Sequence, residues 1–552
     1  SDFLKTFVNA SYNYEDGLIP NNSFKRTAIR SNTDVKLTEW LRAGLNLNIR
    51  RSIQKDPTSG TNNIINSTLR FTPLFGAVNN DGTWGNGQNG INPLAQAIDG
   101  GVKVVDNNDI DVKGTLALTI KGMEILASYA SRRYENKQDK FQNTYDTYEG
   151  GNFIMTYPTT KSRYEEWYQL IKNQFNAQVT YENTFNERHY FKGFLGFQTD
   201  EFKNKSFGGS RNNYYYDGYE EMNHGDASSS MVNGNSSKLT MMSYFARFNY
   251  TFADKYLIEL TGRYDGSSRF TAKNRWGFFP SASIGWVVSQ EKFFQEALPF
   301  VNYFKIRASY GQSGNDNVTA YLYNSNFAIA NNSMVLGDAP ISQFYTKNKY
   351  IYRDLTWATT HSFNLGFEFD LWHQKLGVEL DLFYKLTEDI LESKSGSYPT
   401  SLGEYYPSYQ NSGKVDNRVL ELTVKHINQI NRDWGYRLEG IFSYARNRVL
   451  KKAVTDNYPN YRAILGQPMN TRFGYQALGL FQTEEELDNY PAAPTGTKKL
   501  GDLKYLDVNG DGIINPEYDY VKTGYGQIPE INFSLNMEVT YKNFYATMLW
   551  QG

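Results

Sequence analysis

The sequence contains no cysteine. A disulfide framework, a thiolate-ligated zinc centre and a thiol nucleophile are therefore excluded. It also lacks an excess of either charge: 57 Lys and Arg stand against 58 Asp and Glu, a net charge of −1. That balance argues against a nucleic-acid surface built on bulk charge. Long apolar runs are missing too. None approaches the ~20 residues that a membrane helix needs, and the mean hydropathy is −0.61. The 5 histidines are His189, His224, His361, His373 and His426. They are scattered without HExxH or other metal-ligand spacing, and no GxSxG stands in a strand–turn–helix context. By hydropathy alone the chain reads as soluble. One class escapes that test, because a membrane β-barrel alternates lipid-facing and lumen-facing side chains and carries almost no hydropathy signal.

Aromatic side chains are abundant. They make up 16% of the 552 residues, with 43 Tyr, 35 Phe and 9 Trp. A prior of about 150 residues per domain allows several domains or one large β domain. The strongest local signal is period two, the spacing at which side chains share one face of a strand. In 41–50, Leu41, Ala43, Leu45, Leu47 and Ile49 take one face; Arg42, Gly44, Asn46, Asn48 and Arg50 take the other. The same alternation runs through 174–181, 375–384 and 531–542. These runs are ~10 residues long, the length of a tilted membrane-spanning strand and more than the ~5–6 of an ordinary globular one.

Runs of this kind number about seventeen. Tight turns join them at 37–40, 121–122, 185–188, 253–255, 372–374, 429–434 and 542–543. Longer connections fall at 52–108, 133–171, 200–237, 314–353, 391–413 and 450–529, with one intermediate stretch, 289–302, in a short-side position. Alternating connections put every tight turn at one rim and every long loop at the other, as in transmembrane barrels of the outer membrane. A propeller would show a repeat of ~40–50 residues, and none is found. Tyr and Phe gather at strand ends, at Tyr12, Tyr14, Phe248, Tyr250, Phe252, Tyr303, Phe304, Phe544 and Tyr545. There they would form interfacial girdles. The expected fold class is all-β, a transmembrane antiparallel β-barrel, and nucleic acid is not an expected partner. Ser1 begins close to a strand pattern and Gly552 stops inside one. We therefore expect 1–552 to be part of a larger barrel protein.

Several segments resemble the SusC/RagA-type TonB-dependent outer-membrane transporters of Bacteroidetes. Residues 256–286, YLIELTGRYDGSSRFTAKNRWGFFPSASIGW, match its RxDGSSRF, NRWG and FPSxSxGW blocks. KIRASYGQSGN at 305–315 looks like its next strand and Gly-rich exit. LTWATTHSFNLGFEF at 355–369 resembles its W-E-x-T strand, with Ala358 where an acidic residue is usual. Residues 377–391, GDLKYLDVNGDGIIN at 501–515 and the final LWQG are similar to further family blocks. The resemblance implies a barrel of about 22 strands closed by an N-terminal plug. The plug, the first strands and the last strands would lie outside this chain. It further implies TonB-dependent import of an oligosaccharide or oligopeptide, a SusD-like lipoprotein lid, membrane lipid around the wall, and no enzymatic chemistry.

Asp507, Asn509 and Asp511 fit positions 1, 3 and 5 of an EF-hand-like loop, with Gly512 at 6 and the Ile513 carbonyl at 7. Position 12 is Tyr518, so Asp519 is the closing carboxylate expected if the Pro516 region bulges. The loop reads either as a structural Ca²⁺ site or as an Asx-rich turn that needs no metal. Two Tyr-rich patches, Tyr214, Tyr215, Tyr216 and Tyr219, and Tyr405, Tyr406 and Tyr409, are candidates for contact with substrate or lid. They could equally pack loop on loop. Gly82–Gly87 is read as loop flexibility, and Thr483 as the N-cap of a short helix over the Glu484–Glu486 run. Arg42, Arg50 and Arg307 are expected on a hydrated polar face. Two rivals remain: a surface glycan-binding or adhesin-like β protein without transport, and a β-rich glycoside hydrolase, for which no carboxylate pair is marked.

Overall fold

The computed structural model describes residues 3–216, 218–324, 327–346, 352–394, 398–402, 409–453, 459–491, 498–524 and 526–552. Seventeen strands belong to one sheet, and the ladders between them are antiparallel and join strands consecutive within that sheet. Among the described residues, no separate plug domain accompanies it. By contacts the chain divides into two compact units, Ser1–Thr180 with Gly196–Ser243, and Tyr181–Leu195 with Tyr244–Gly552.

The first unit holds β1 (Leu4–Asp16), β2 (Ser23–Lys36), β3 (Leu41–Pro57), β4 (Gly101–Ile120) and β5 (Met123–Gln142). It also holds the greater part of β6 (Ser162–Phe185), β7 (His189–Asn212) and β8 (Met231–Phe252). The register explains the period-two pattern. Leu41, Ala43, Leu45, Leu47 and Ile49 on β3 face Leu118, Leu116, Gly114, Val112 and Ile110 on β4. These side chains lie on one face and are not covered: Leu45 and Leu116 are each 53% exposed, although both are leucines in the middle of strands. A contiguous apolar face left bare by the protein is a lipid face.

β4 and β5 meet at Lys121-Gly122, where both residues have positive φ, 46° and 80°. That is the primed turn whose twist matches antiparallel strands. At the opposite end the strands run further than the alternation indicates. The connections expected at 52–108, 133–171 and 200–237 are observed at 58–100, 143–161 and 213–230. Past the apolar band both faces meet water, so the ladder continues with no reason to alternate. Arg51 pairs with Asp106 at 2.7 Å and Arg133 with Glu135 at 2.7 Å, on the same face that carries Leu45 lower down.

In the 58–100 connection, α1 (Thr61–Arg70) is followed by α2 (Pro93–Ile98). Asn92 is fully buried and caps α2: its Oδ1 accepts from Leu94 N (3.1 Å) and Ala95 N (3.2 Å). Its Nδ2 donates to the carbonyls of Ala77 (2.7 Å) and Gly85 (3.0 Å). Tyr145 OH accepts from Asn92 N and donates to the Gly90 carbonyl, and burial pushes this phenol up to about 12. The 82–87 stretch, read as loose, is therefore held: Trp84–Gly85 pairs with Thr147 and Tyr148.

The second unit holds β9 (Tyr256–Ser267), β10 (Trp276–Val287), β11 (Val301–Asn315), β12 (Ala358–Leu371), β13 (Leu376–Ser393) and β14 (Tyr409–Gln429). β15 (Trp434–Lys451), β16 (Ile531–Tyr541) and β17 (Phe544–Gln551) complete it. Its turn rim is aromatic. Phe304 stacks on Phe369 at 4.3 Å, Trp434 lies 4.4 Å from Tyr541, and Phe300 stacks on Trp372 at 6.2 Å. Thr483 caps the helix Glu484–Asn489 as expected, its Oγ1 accepting from Glu486 N at 3.2 Å.

Candidate functional site

The polar faces are built by the same register that builds the lipid faces. Arg50 on β3 stands opposite Asp109 on β4, which stands opposite Tyr134 on β5. Asp109 is only 7% exposed. Its Oδ2 accepts from Arg50 Nη2 (2.7 Å) and Arg132 Nη2 (2.8 Å), and its Oδ1 from Arg132 Nε (2.8 Å). Arg42 pairs with Glu124 at 2.7 Å nearer the turns. In the second unit Arg307 on β11 reaches across β12 to Asp381 on β13 at 2.6 Å, and its Nε lies 3.0 Å from the Glu368 carboxylate as an ion pair. The crossing needs Gly366: a Cβ there would lie 2.6 Å from Arg307 Nε. All three arginines expected on a hydrated face are there, and all three are ion-paired.

The Tyr-rich patches come apart. Tyr214 is buried, edge-on to Phe141 at 5.3 Å, so it anchors its loop and presents no surface to a solute. Burial raises its phenol. Tyr215, Tyr216 and Tyr219 are exposed, with Tyr219 edge-on to His224 at 5.4 Å. The loop is pinned by Arg211, whose Nη1 donates to the carbonyls of Met222, Asn223 and Gly225. Tyr405 and Tyr406 lie outside the described residues. Tyr409 opens β14 and is exposed.

The 507–519 loop closes on its own backbone. Asp507 accepts from Gly510 N (2.7 Å) and Gly512 N (2.8 Å), and Asp511 Oδ1 from Ile513 N (2.8 Å). Asn509 Nδ2 donates to Asp511 Oδ2 (2.8 Å). Asp519 is fully buried and accepts from Val508 N (2.7 Å) and Asn515 N (2.8 Å). Among the described residues no three acidic or imidazole groups converge on one point. As they stand, the carboxylates of Asp507, Asp511 and Asp519 accept from backbone amides.

The profile of the family described as TonB dependent receptor-like, beta-barrel, matches residues 46–546. The chain belongs to this family. It is 26% identical over 580 residues to TonB-dependent receptor P26 of Formosa agariphila, with 100% of this chain and 56% of that protein covered. It is 25% identical over 464 residues to TonB-dependent receptor SusC of Bacteroides thetaiotaomicron, covering 80% of this chain and 42% of SusC. Among solved structures, the RagAB peptide importer in its closed-closed state shares the fold at a TM-score of 0.77 and 20% identity. That likeness covers 100% of this chain and 60% of the solved one. The chain thus spans about half the length of the curated relatives it matches. Membership makes it the wall of an outer-membrane β-barrel, and its relatives are receptors and transporters, not enzymes.

In this TonB-dependent receptor barrel, sequence reading found the arginines of the polar face but none of their partners. Asp109, Glu124, Glu368 and Asp381 each sit at a polar position of an alternating or ladder-paired strand. Setting the strands in antiparallel register from the tight turns would have paired Arg50 with Asp109 directly. Arg307 with Asp381 lies two strands apart and leaves no such signal.

Proposed function

We propose that this chain is the barrel wall of a TonB-dependent importer that carries a nutrient, an oligosaccharide or an oligopeptide, across the outer membrane. A SusD-like lipoprotein would serve as its lid, and TonB would supply energy through parts of the protein beyond these strands. The observation that carries the reading is the split between adjacent register steps. Ile49 and Ile110 form an uncovered apolar pair while Arg50 and Asp109 form an ion pair on the other face. A soluble binding module would cover its apolar face with protein. A wall with lipid on one side and water on the other leaves both faces as they are here. The structural likeness to the RagAB peptide importer favours the oligopeptide among the solute classes, and the oligosaccharide and the lipoprotein lid rest on the SusC/RagA-type resemblance of the sequence blocks.

The test is uptake by the source bacterium of labelled oligosaccharide and oligopeptide mixtures, with and without the gene, and with TonB or the proton-motive force removed. Loss of uptake of one mixture in every deficient state supports the reading. Unchanged uptake of both mixtures in the gene deletion would overturn it.

A further inference from the structure

On the polar face of the first unit, where the apolar band ends, four strands leave a cleft of about 210 Å³. Its origin is residue size. Across β2, β3, β4 and β5 one register row reads Arg26, Ser52, Asn107, Asn136, and the next reads Ala28, Arg50, Asp109, Tyr134. The small side chain of Ser52, set between Arg26 and Asn107 in its row, leaves the gap, and the Tyr134 and Phe24 side chains help to line it.

The charges in the cleft do not cancel. Asp109 is its one carboxylate, and three N–H bonds from Arg50 and Arg132 take up both of its oxygens. Asn107 Oδ1 is likewise used, accepting from Tyr134 OH and Asn136 Nδ2, each at 2.7 Å. Beyond the cleft, Asp111 lies near Arg132 and is no part of the lining. The Arg26 guanidinium has no hydrogen-bond or ion-pair partner among the described residues, and Arg50 commits only Nη2. A cation entering here would meet two guanidinium groups. An anion would find two planar sets of N–H donors, the geometry that grips a carboxylate with two parallel bonds.

We propose that this cleft is a subsite for a carboxylate group on the imported solute, with Arg26 the group that binds it first and Arg50 the second. The inference rests on the import reading and narrows it to acidic solutes. The carboxylate could belong to the C-terminus of an oligopeptide or to a uronic acid of an oligosaccharide; the chemistry recognised is the same.

The test uses the intact protein purified in detergent from outer membranes. It is offered a mixed oligopeptide digest and an oligouronate mixture, each with carboxylates free or methyl-esterified, and retained species are counted by mass spectrometry. One charge-assisted bond gained or lost corresponds to about tenfold in retention, so the free form of one mixture is expected to exceed its ester by about that factor. The mixture that shows the preference identifies the source of the carboxylate. Arg26→Gln is expected to abolish the preference while leaving the thermal midpoint unchanged. Arg26→Lys, which keeps the charge and loses the fork, is expected to be intermediate, and it carries the test if the Gln variant fails to fold. Equal retention of free and esterified forms would overturn the carboxylate subsite and leave import standing. Retention of nothing from either mixture, in either form, would overturn both.

Discussion

Arg50 and Asp109 face each other across the β3–β4 ladder and share a 2.7 Å ion pair, one register step from Ile49 and Ile110, which face each other on the opposite side. Two adjacent rungs thus carry opposite solvents. A slip of β3 by one residue in this register would turn Ile49 into the lumen and Arg50, parted from Asp109, toward lipid. The pairing itself therefore resists slippage.

Charge placed on the two faces is expected to have unequal effects. Leu45 sits in the middle of the apolar band, so Leu45→Arg is expected to cost about 2–4 kcal/mol, the midplane value for a lipid-facing guanidinium. Asn46→Arg, one residue on, faces water and is expected to change stability by less than about 0.5 kcal/mol. Urea titration of the protein in lipid bilayers measures both. Equal losses at the two positions would remove the assignment of faces.

Asp109→Asn is expected to lower stability by about 1–2 kcal/mol. The buried position loses a carboxylate that two arginines share, but both guanidinium groups stay more than 40% exposed and can be rehydrated, with side-chain exposures of 45% and 43%. The same titration checks it, and a loss above about 4 kcal/mol would mean that water does not reach the arginines.

The sequence made the membrane-facing half of the fold legible and little beyond it. Within the band lipid and water impose opposite demands on the two faces, so Leu41 to Ile49 alternate and their register can be written down from the 37–40 and 121–122 turns. From Arg51 upward both faces are wet, alternation has no cause, and the strand extensions to Pro57, Gln142 and Asn212 went unread. In the candidate site, Arg50 was legible from its face. The cleft was not, because it depends on Ser52 being small beside Arg26 and Asn107, a relation visible only after the strands are aligned.

Asn92 shows how the 58–100 connection is kept in one conformation. Asn92→Ala removes the α2 cap and strands the buried carbonyls of Ala77 and Gly85. The expected local loss is about 2–4 kcal/mol. Hydrogen exchange should accelerate over 76–100 and stay unchanged in β3 and β4, since a connection of this kind opens separately from the sheet it crowns.

Glu201, beyond the apolar band on β7, is held by Lys203 (2.6 Å) and Lys238 (2.8 Å). The Lys203 ammonium, then that of Lys238, pulls its carboxyl down to about 2. Because the folded value is depressed, the contribution to stability is fully present above the unfolded value of about 4.3 and is lost as pH falls toward the folded one. The thermal midpoints of the wild type and Glu201→Gln are therefore expected to differ by a small constant between pH 5 and 7. The difference should close between about pH 4 and pH 2. A difference that grows on acidification would reverse the assigned sign.

Asp519 is the residue on which the 507–519 loop turns. It lies fully buried, and its two oxygens hold Val508 N and Asn515 N, on either side of the Gly510 and Gly512 turns with φ of 73° and 78°. Asp519→Ala leaves two amides unpaired in that buried space, an expected local loss of about 2–3 kcal/mol. It should appear as faster hydrogen exchange over 505–522. The loop is held without an ion by the bonds that Asp507 and Asp511 accept from the amides of Gly510, Gly512 and Ile513. With those bonds made, chelation is expected to leave the thermal midpoint unchanged within about 1 °C. A drop of several degrees on chelation, restored by calcium and absent in Asp511→Asn, would show instead that the loop holds the ion.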